Sequence, residues 1–284
     1  VSVERIAVLG AGTMGRGIAH VSAVAGWDTR LFDVDERALG TAMDTIRANL
    51  EGSVARGKLT EDAKTHALTR LSTTTDLAAA VEGVDVAIEA VPEQLPLKQD
   101  LLGRVAGVVD ASTLLASNTS SLSITEIADG VEGPERVIGM HFFNPVHIMK
   151  LVEVVVGGWT SRDTVDRTRS LAEEMGKTPI VVRDSPGFAS SRLGIALGLE
   201  AMRMLQEGVA TAEDIDTAME LGYRHPMGPL KLTDLVGLDV RLEIARYLHR
   251  ELGAEQFRPP AILEQKVEEG KLGKKSGEGF YTWD

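Results

Sequence analysis

The sequence predicts an α/β doubly wound sheet followed by a smaller all-α domain. Three observations carry that expectation. Up to about residue 183, short β-branched or apolar runs alternate with amphipathic segments, as strands joined by crossover helices require in a parallel sheet. A glycine-rich turn, Gly10-Ala11-Gly12-Thr13-Met14-Gly15, joins the first run to the first amphipathic segment. From Phe188 onward strand patterns disappear and helical spacing takes over.

Taken in order, the expected strands are Arg5–Leu9, Thr29–Phe32, Asp85–Glu89, Leu114–Ser117, Val137–Phe142, Leu151–Val156 and Ile180–Val182. The expected helices between them are Thr13–Ala25, Glu36–Arg56, Leu95–Val109 and Thr164–Met175. Turn formers gather in Asp184-Ser185-Pro186-Gly187, which marks the boundary between domains 1–185 and 186–284. Beyond it Ser190–Glu207, Ala212–Glu220, Leu230–Leu252 and Pro260–Glu269 have helical spacing, with Gly208 and Gly222 as helix stops. Met202, Leu205, Met219 and Leu221 lie on apolar stripes of this region and read as core. The closing Gly277-Glu278-Gly279-Phe280-Tyr281-Thr282-Trp283 is too aromatic for a loose tail and should pack down.

At 284 residues the chain suits two domains. Hydrophobic residues at 43% and charged residues at 25% describe a globular protein with a sizeable core. Acidic residues outnumber basic ones 42 to 30, a net charge of −12, which argues against general affinity for nucleic acid or anionic membranes. An anionic ligand must therefore be met by local donors. With no cysteine, a disulfide, a thiolate metal site and a Cys nucleophile are all excluded. Val1 to Leu9 lack the segments of a signal peptide and no apolar run reaches membrane-spanning length, so a cytoplasmic protein is expected.

The glycine turn sits where a dinucleotide-binding βαβ unit needs it. Gly10 permits the tight turn, Gly12 lets the backbone approach a pyrophosphate, and Gly15 lets helix and strand pack closely, so the sheet is of Rossmann type. Phosphate then meets free N–H groups at a helix N-terminus, including those around Thr13 and Met14. Asp33 ends the second strand 18 residues beyond Gly15, where a carboxylate accepts hydrogen bonds from a ribose 2′-hydroxyl and repels a 2′-phosphate. NAD is favoured over NADP. Asp33 also competes with Asp35 for the role of helix cap, and Asp35 is the better candidate for it.

Oxidising an alcohol needs a group that accepts the hydroxyl proton, and histidine suits this because its pKa lies near working pH. Of six histidines, His20, His66, His225 and His249 fall in helical or polar segments, leaving His141 and His147. His141 ends a strand, the edge at which open α/β folds bind ligands. Glu153 stands in an otherwise apolar strand and needs a partner to offset its desolvation, which an imidazolium would supply. From spacing alone, a satisfied core histidine and an unrelated edge glutamate account for these residues about as well as a catalytic pair does.

Several motifs are more specific. Ser117-Asn118-Thr119-Ser120-Ser121, His141-Phe142-Phe143-Asn144-Pro145, Met149-Lys150-Leu151-Val152-Glu153, Asp184-Ser185-Pro186-Gly187-Phe188, Pro226-Met227-Gly228-Pro229 and Lys274-Lys275-Ser276-Gly277-Glu278-Gly279-Phe280-Tyr281 together resemble the 3-hydroxyacyl-CoA dehydrogenase family, in order and over nearly the whole chain. The resemblance implies that His141 is the general base, Glu153 its orienting partner and Ser120 a donor to the substrate oxygen. It implies that Gly10, Gly12, Gly15, Asp33, Glu93, Lys98, Asn144 and Lys275 line an NAD site. It also implies an acyl-CoA substrate, with 3-hydroxybutyryl-CoA as the default chain length for a compact single-function member, and a homodimer formed through the helical domain.

Ser120 can equally be a turn or cap residue on the sequence pattern alone, and neither Ser120 nor Ser121 sits in a nucleophile elbow, which disfavours acyl transfer. Arg56 and Lys58, near the end of the long helix, are the candidates for holding CoA, because the family uses this region for it. Solvated surface charge is their commoner meaning. The chain departs from the family at Ser191, where the family usually has asparagine three residues beyond the aromatic of Pro186-Gly187-Phe188. Serine is shorter and lacks the amide donor, so Ser191 serves the site through water or else merely starts a helix. Two other readings stay open: a dehydrogenase of hydroxy acids that lack CoA, and a dinucleotide-binding protein that has lost its chemistry.

Overall fold

The computed structural model describes residues 3–283, which fall into two compact units dividing between Ser185 and Pro186. In the first, the strands are β1 (Arg5–Leu9), β2 (Asp28–Phe32), β3 (Leu71–Thr74), β4 (Val86–Glu89), β5 (Leu114–Ser117), β6 (Val137–Phe142), β7 (Leu151–Val156) and β8 (Thr178–Arg183). They form one sheet in the order β3-β2-β1-β4-β5-β6-β7-β8. Its helices are α1 (Thr13–Val24), α2 (Glu36–Ala55), α3 (Glu61–Thr69), α4 (Leu77–Val81), α5 (Leu95–Ala106), α6 (Ile124–Ala128) and α7 (Arg162–Glu174).

β1, β4, β5 and β6 are buried along almost their whole length, because helices cover both faces of a central parallel strand and a continuous apolar run is what such a strand demands. The order reverses at β1, with β2 on one side and β4 on the other. Crossovers on opposite faces therefore part at the C-terminal ends of these strands and leave a crevice there.

Two expectations need correction. The sheet is not parallel throughout: β6 and β7 pair antiparallel, with His141 opposite Glu153. Only residues 143–150 join them, too few for a crossover helix, so the chain turns straight back. The second correction concerns elements with weak patterning. β3 is a half-exposed edge strand of sequence LSTT, and α3 buries only Ala67, so neither shows an apolar period. Polar caps mark the helices on either side of β3 instead: Thr60 accepts from the Ala63 N–H at the start of α3, and Asp76 accepts from the Ala78 N–H at the start of α4.

The second unit is helical: α8 (Ser190–Gln206), α9 (Ala212–Thr217) running into a π-helical turn at Ala218–Gly222, α10 (Pro229–Val236), α11 (Leu238–Leu252) and α12 (Ala261–Glu268). The single helix expected over Leu230–Leu252 is two. Gly237 stands between them at φ 103° and ψ 131°, which no helix accommodates. Ile195, Leu199, Met202, Leu230, Leu242, Leu248 and Leu263 are among the residues of the core, and Leu205 packs against it. Leu221 does not belong there, being 79% exposed beside the exposed Tyr223. The aromatic segment does pack down. Asp234 accepts the N–H groups of Phe280 (2.8 Å), Tyr281 (2.9 Å) and the Trp283 indole (2.8 Å), while Asp216 accepts the Tyr281 hydroxyl (2.8 Å).

Candidate active site

A cleft of about 1140 Å³ opens at the C-terminal ends of the central strands and is lined by Gly10, Gly12, Thr13, Met14 and Asp33 among others. Gly15 is not in the lining; it supports it. A Cβ there would collide with the Gly10 carbonyl oxygen, so only glycine lets α1 start this close to the turn. The helix begins without a side-chain cap and without an acidic residue in its first turn. Its first N–H groups therefore remain available to an anion.

Asp33 accepts the Ala11 N–H (2.7 Å) and the Asp35 N–H (3.0 Å), which ties the glycine turn to the end of β2. Asp35 is the cap of α2, through the Arg37 N–H (2.9 Å), so Asp33 is left to face the cleft. The lining also includes apolar side chains, Leu97, Leu101 and Val108 on and just beyond α5 and Leu77 on α4, beside Asp100 and Arg104. Leu97 and Val108 are 37% and 64% exposed, and their partial exposure, invisible as a pattern, is what a flat heteroaromatic ring could cover. Uncapped helix, close-packed glycine turn, cleft-facing carboxylate and apolar side chains together fit a dinucleotide.

The neighbouring strand ends hold the second constellation. His141 Nδ1 lies 2.7 Å from Glu153 Oε2; Glu153 is fully buried and His141 is 7% exposed. A carboxylate at Nδ1 selects the tautomer with its proton there, which makes Nε2 the basic nitrogen. Antiparallel pairing brings the two Cβ atoms to the same face of the sheet, so strand register sets this contact. Phe143 packs against His141 with ring centroids 4.5 Å apart. The Asn144-Pro145 peptide is cis, and Asn144 itself is exposed.

Ser120 sits in a turn organised by Glu93. That carboxylate accepts from Thr119 Oγ1 (2.6 Å), the N–H groups of Ser120 (2.8 Å) and Ser121 (3.2 Å), and Ser120 Oγ (3.1 Å). Burial alone would raise Glu93, but the Lys98 ammonium and these hydrogen bonds outweigh it and hold the carboxyl below its ordinary range. Lys98 presents no surface: its Nζ lies 2.8 Å from both oxygens of Glu89 and 3.3 Å from Glu93 Oε2. Neither Lys98 nor Glu93 is among the residues lining the cleft, and Lys98 acts through Glu93 on the Ser120 turn. Asn118, on the same turn, accepts the Phe142 N–H (2.9 Å), which fastens the Ser120 turn to the strand end carrying His141.

Sequence reasoning missed Glu89 and Asn118. Glu89 was hidden inside an expected strand, where an acid with no neighbour of opposite charge in sequence gives no sign of Lys98 nine residues on. Arg56 follows α2 and Lys58 follows it; both are exposed, and among the described residues neither forms an ion pair. In the helical unit, Ser191 lies half-buried in the first turn of α8, just past Phe188, a non-glycine residue at φ 47°. Lys275 donates to Asp239 (2.5 and 2.6 Å) within that unit.

Residues 5–185 match the family described as "3-hydroxyacyl-CoA dehydrogenase, NAD binding domain", and residues 187–283 match its C-terminal domain. The chain is 44% identical over 282 residues to a probable 3-hydroxybutyryl-CoA dehydrogenase of Bacillus subtilis, covering 99% of this chain and 98% of that protein. It is 43% identical over 284 residues to the 3-hydroxyadipyl-CoA dehydrogenase of Escherichia coli, covering 100% of this chain and 60% of that one. The crystal structure of (S)-3-hydroxybutyryl-CoA dehydrogenase from Ralstonia eutropha superposes with a TM-score of 0.96 at 39% identity, both chains covered in full (100%). The chain thus belongs to the 3-hydroxyacyl-CoA dehydrogenase family, as an oxidoreductase that uses NAD to oxidise the hydroxyl-bearing carbon of a 3-hydroxyacyl-CoA.

Proposed function

We propose that His141 is the general base of this oxidation and that Glu153 orients it. The observation that carries the assignment is the 2.7 Å contact between His141 Nδ1 and a fully buried Glu153 carboxylate. Glu153 holds the ring proton of the neutral tautomer at Nδ1, leaving Nε2 as the acceptor, and stabilises the imidazolium once Nε2 has taken the 3-hydroxyl proton. Bound NAD supplies the hydride acceptor for C3. In the reverse direction the imidazolium returns its proton to the 3-keto oxygen. Ser120 donates to the substrate oxygen by turning its hydroxyl away from Glu93, which keeps hold of the Ser120 N–H; Ser191 acts at this centre through water.

Gly10, Gly12, Thr13, Met14, Gly15 and Asp33 hold the dinucleotide, with Glu93, Lys98, Asn144 and Lys275 completing its surroundings. Arg56 and Lys58, exposed and unneutralised in an acidic chain, are the basic pair for the CoA phosphates. A short acyl chain, as in 3-hydroxybutyryl-CoA, is the preferred substrate; the names of the Bacillus subtilis and Ralstonia eutropha proteins support this reading. The helical unit serves substrate binding and homodimerisation. Exposed Leu193, Leu197, Leu232, Leu235, Val236 and Val240 on α8, α10 and α11 support the latter, since so much exposed apolar surface is a liability for a lone subunit. Its proposed place of action is the cytoplasm.

The deciding experiment is steady-state oxidation of NADH and of NADPH with acetoacetyl-CoA, compared with longer 3-ketoacyl-CoA esters. Turnover with acetoacetyl-CoA and a clear preference for NADH are expected. Absence of turnover with any CoA ester would remove the proposal.

A further inference from the structure

Two histidines outside this constellation lie ring on ring. His20, on α1, and His147, in the link between β6 and β7, are stacked with centroids 5.3 Å apart and planes 9° from parallel. His20 is 5% exposed, and its Nδ1 has no hydrogen-bond partner among the described residues. One turn earlier on the same helix face, Gly17 meets the link as well: a Cβ there would stand 2.8 Å from Cβ and Cγ2 of Val146. The nearly buried Lys177, between α7 and β8, donates to the Val146 carbonyl and, at 2.9 Å, to that of Met149. The link is thus held at three places.

Its two ends are the working ends of the site. Phe143 opens it and packs on the His141 ring, and Leu151, which follows it, begins the strand of Glu153. The helix on which it rests begins at the glycine turn. We propose that His20 and His147 are positioning residues for His141: their stack, with Lys177, fixes the link that joins the base to its carboxylate, and it holds only while both rings are uncharged. This rests on the reading of His141 as the base.

The charge environment gives the second half of the proposal its reason. Lys177, just past α7, acts on both rings; His147 acts on His20, and Arg56, at the end of α2, acts on His147. An imidazolium formed here would be repelled by these cations, and at His20 it would also lose its hydration. Burial, His147 and Lys177 push His20 down to about 4, and burial, Lys177 and Arg56 hold His147 below its ordinary value. The stack therefore persists at neutral pH and opens in acid.

The test is kinetic and spectroscopic on the full chain. His147→Ala removes the stack and should lower kcat for acetoacetyl-CoA and NADH by about tenfold to a hundredfold, the order expected for a small misplacement of a reacting group, with KM for NADH little changed. His147→Phe restores an aromatic face that cannot titrate; it should recover most of kcat at neutral pH and carry the acid limb of the kcat profile to lower pH. In ligand-free protein with labelled histidine at neutral pH, the His141 ring resonances should differ between wild type and His147→Ala and return close to their wild-type positions in His147→Phe. Wild-type kcat in His147→Ala, or a His141 ring indifferent to the pair, overturns the proposal. The resonance experiment does not depend on catalysis. If His141→Ala stays active while the rings are coupled, the base assignment fails and the positioning of His141 stands; if His141→Ala is inactive and the rings are uncoupled, the base stands and the positioning fails.

Discussion

Lys98 and Glu89 form an ion pair from which solvent is wholly excluded, with Nζ 2.8 Å from each carboxylate oxygen and neither side chain exposed. Ser117 Oγ and the Val91 N–H also serve Glu89, so its remaining lone pairs are satisfied. The same ammonium reaches Glu93, which gathers the Ser120 turn. A buried cation thus lies beneath the turn that presents Ser120.

Removing one partner leaves the other charge stranded. Lys98→Met should cost about 3–5 kcal/mol of stability, measured by urea unfolding, and Lys98→Met combined with Glu89→Gln should recover much of that loss. A single variant within 1 kcal/mol of wild type, on the order of an exposed pair, would mean that the pair carries little of the fold.

Glu153→Gln keeps the shape of the carboxylate and loses its charge. An amide cannot stabilise the imidazolium that forms, so kcat should fall by about 10²–10⁴. His141→Ala should fall by at least a similar factor, and the double variant should be little worse than either, because the two act as one unit. The Kd for NADH, measured by fluorescence titration, should stay near wild type in all three. Less than about a tenfold loss in His141→Ala would show that it is not the base.

Asp33 has a second duty that the sequence did not show, since it holds the Ala11 N–H of the glycine turn at 2.7 Å. Asp33→Ala should weaken NAD binding by about tenfold to a hundredfold, the range for hydrogen bonds to a charged group, and narrow the preference over NADP. Unchanged NAD affinity in direct titration would take Asp33 out of the site.

Stability should depend on pH through His20. Its folded-state value of about 4 lies below the ordinary 6.5, so between these values the unfolded chain binds the proton and the folded chain does not. Stability is then full above about pH 6.5 and falls as the pH drops towards 4, by about 3 kcal/mol for such a shift. Urea unfolding at a series of pH values should show this loss in wild type and a shallower one in His20→Phe. Glu93, held below its ordinary range, adds a loss of the same sign at lower pH as its carboxyl is protonated.

Ser191→Ala should lower kcat by about two- to tenfold, the size of one modest hydrogen bond, and Ser191→Asn should equal or exceed wild type in the acetoacetyl-CoA assay. Full turnover in Ser191→Ala would leave Ser191 as a helix-start residue only.

What could be read from the chain follows from how each signal is encoded. β1, β5, β6 and β7 were legible because buried strands write themselves as apolar runs. The glycine turn was legible because its residues have local reasons for being glycine. β3 and α3 were not, since an exposed edge strand and a polar helix carry no period, and only caps such as Thr60 betray them. The direction of β7 was available in the short stretch from 143 to 150, which cannot contain a crossover. The Lys98–Glu89 pair and the His20–His147 stack were not legible: each joins residues whose meeting is decided by how helices lie on the sheet.

The reversal of chain direction at β7 makes the His141–Glu153 distance a property of strand pairing. Side chains alternate faces along a strand, so a slip of one residue in the pairing would send Glu153 to the opposite side of the sheet. The contact therefore has no intermediate settings. A change in the number of residues between the two strands either leaves their register intact, with the cost confined to the turn, or abolishes the pair altogether, and gradual retuning of the base through this separation is closed to mutation.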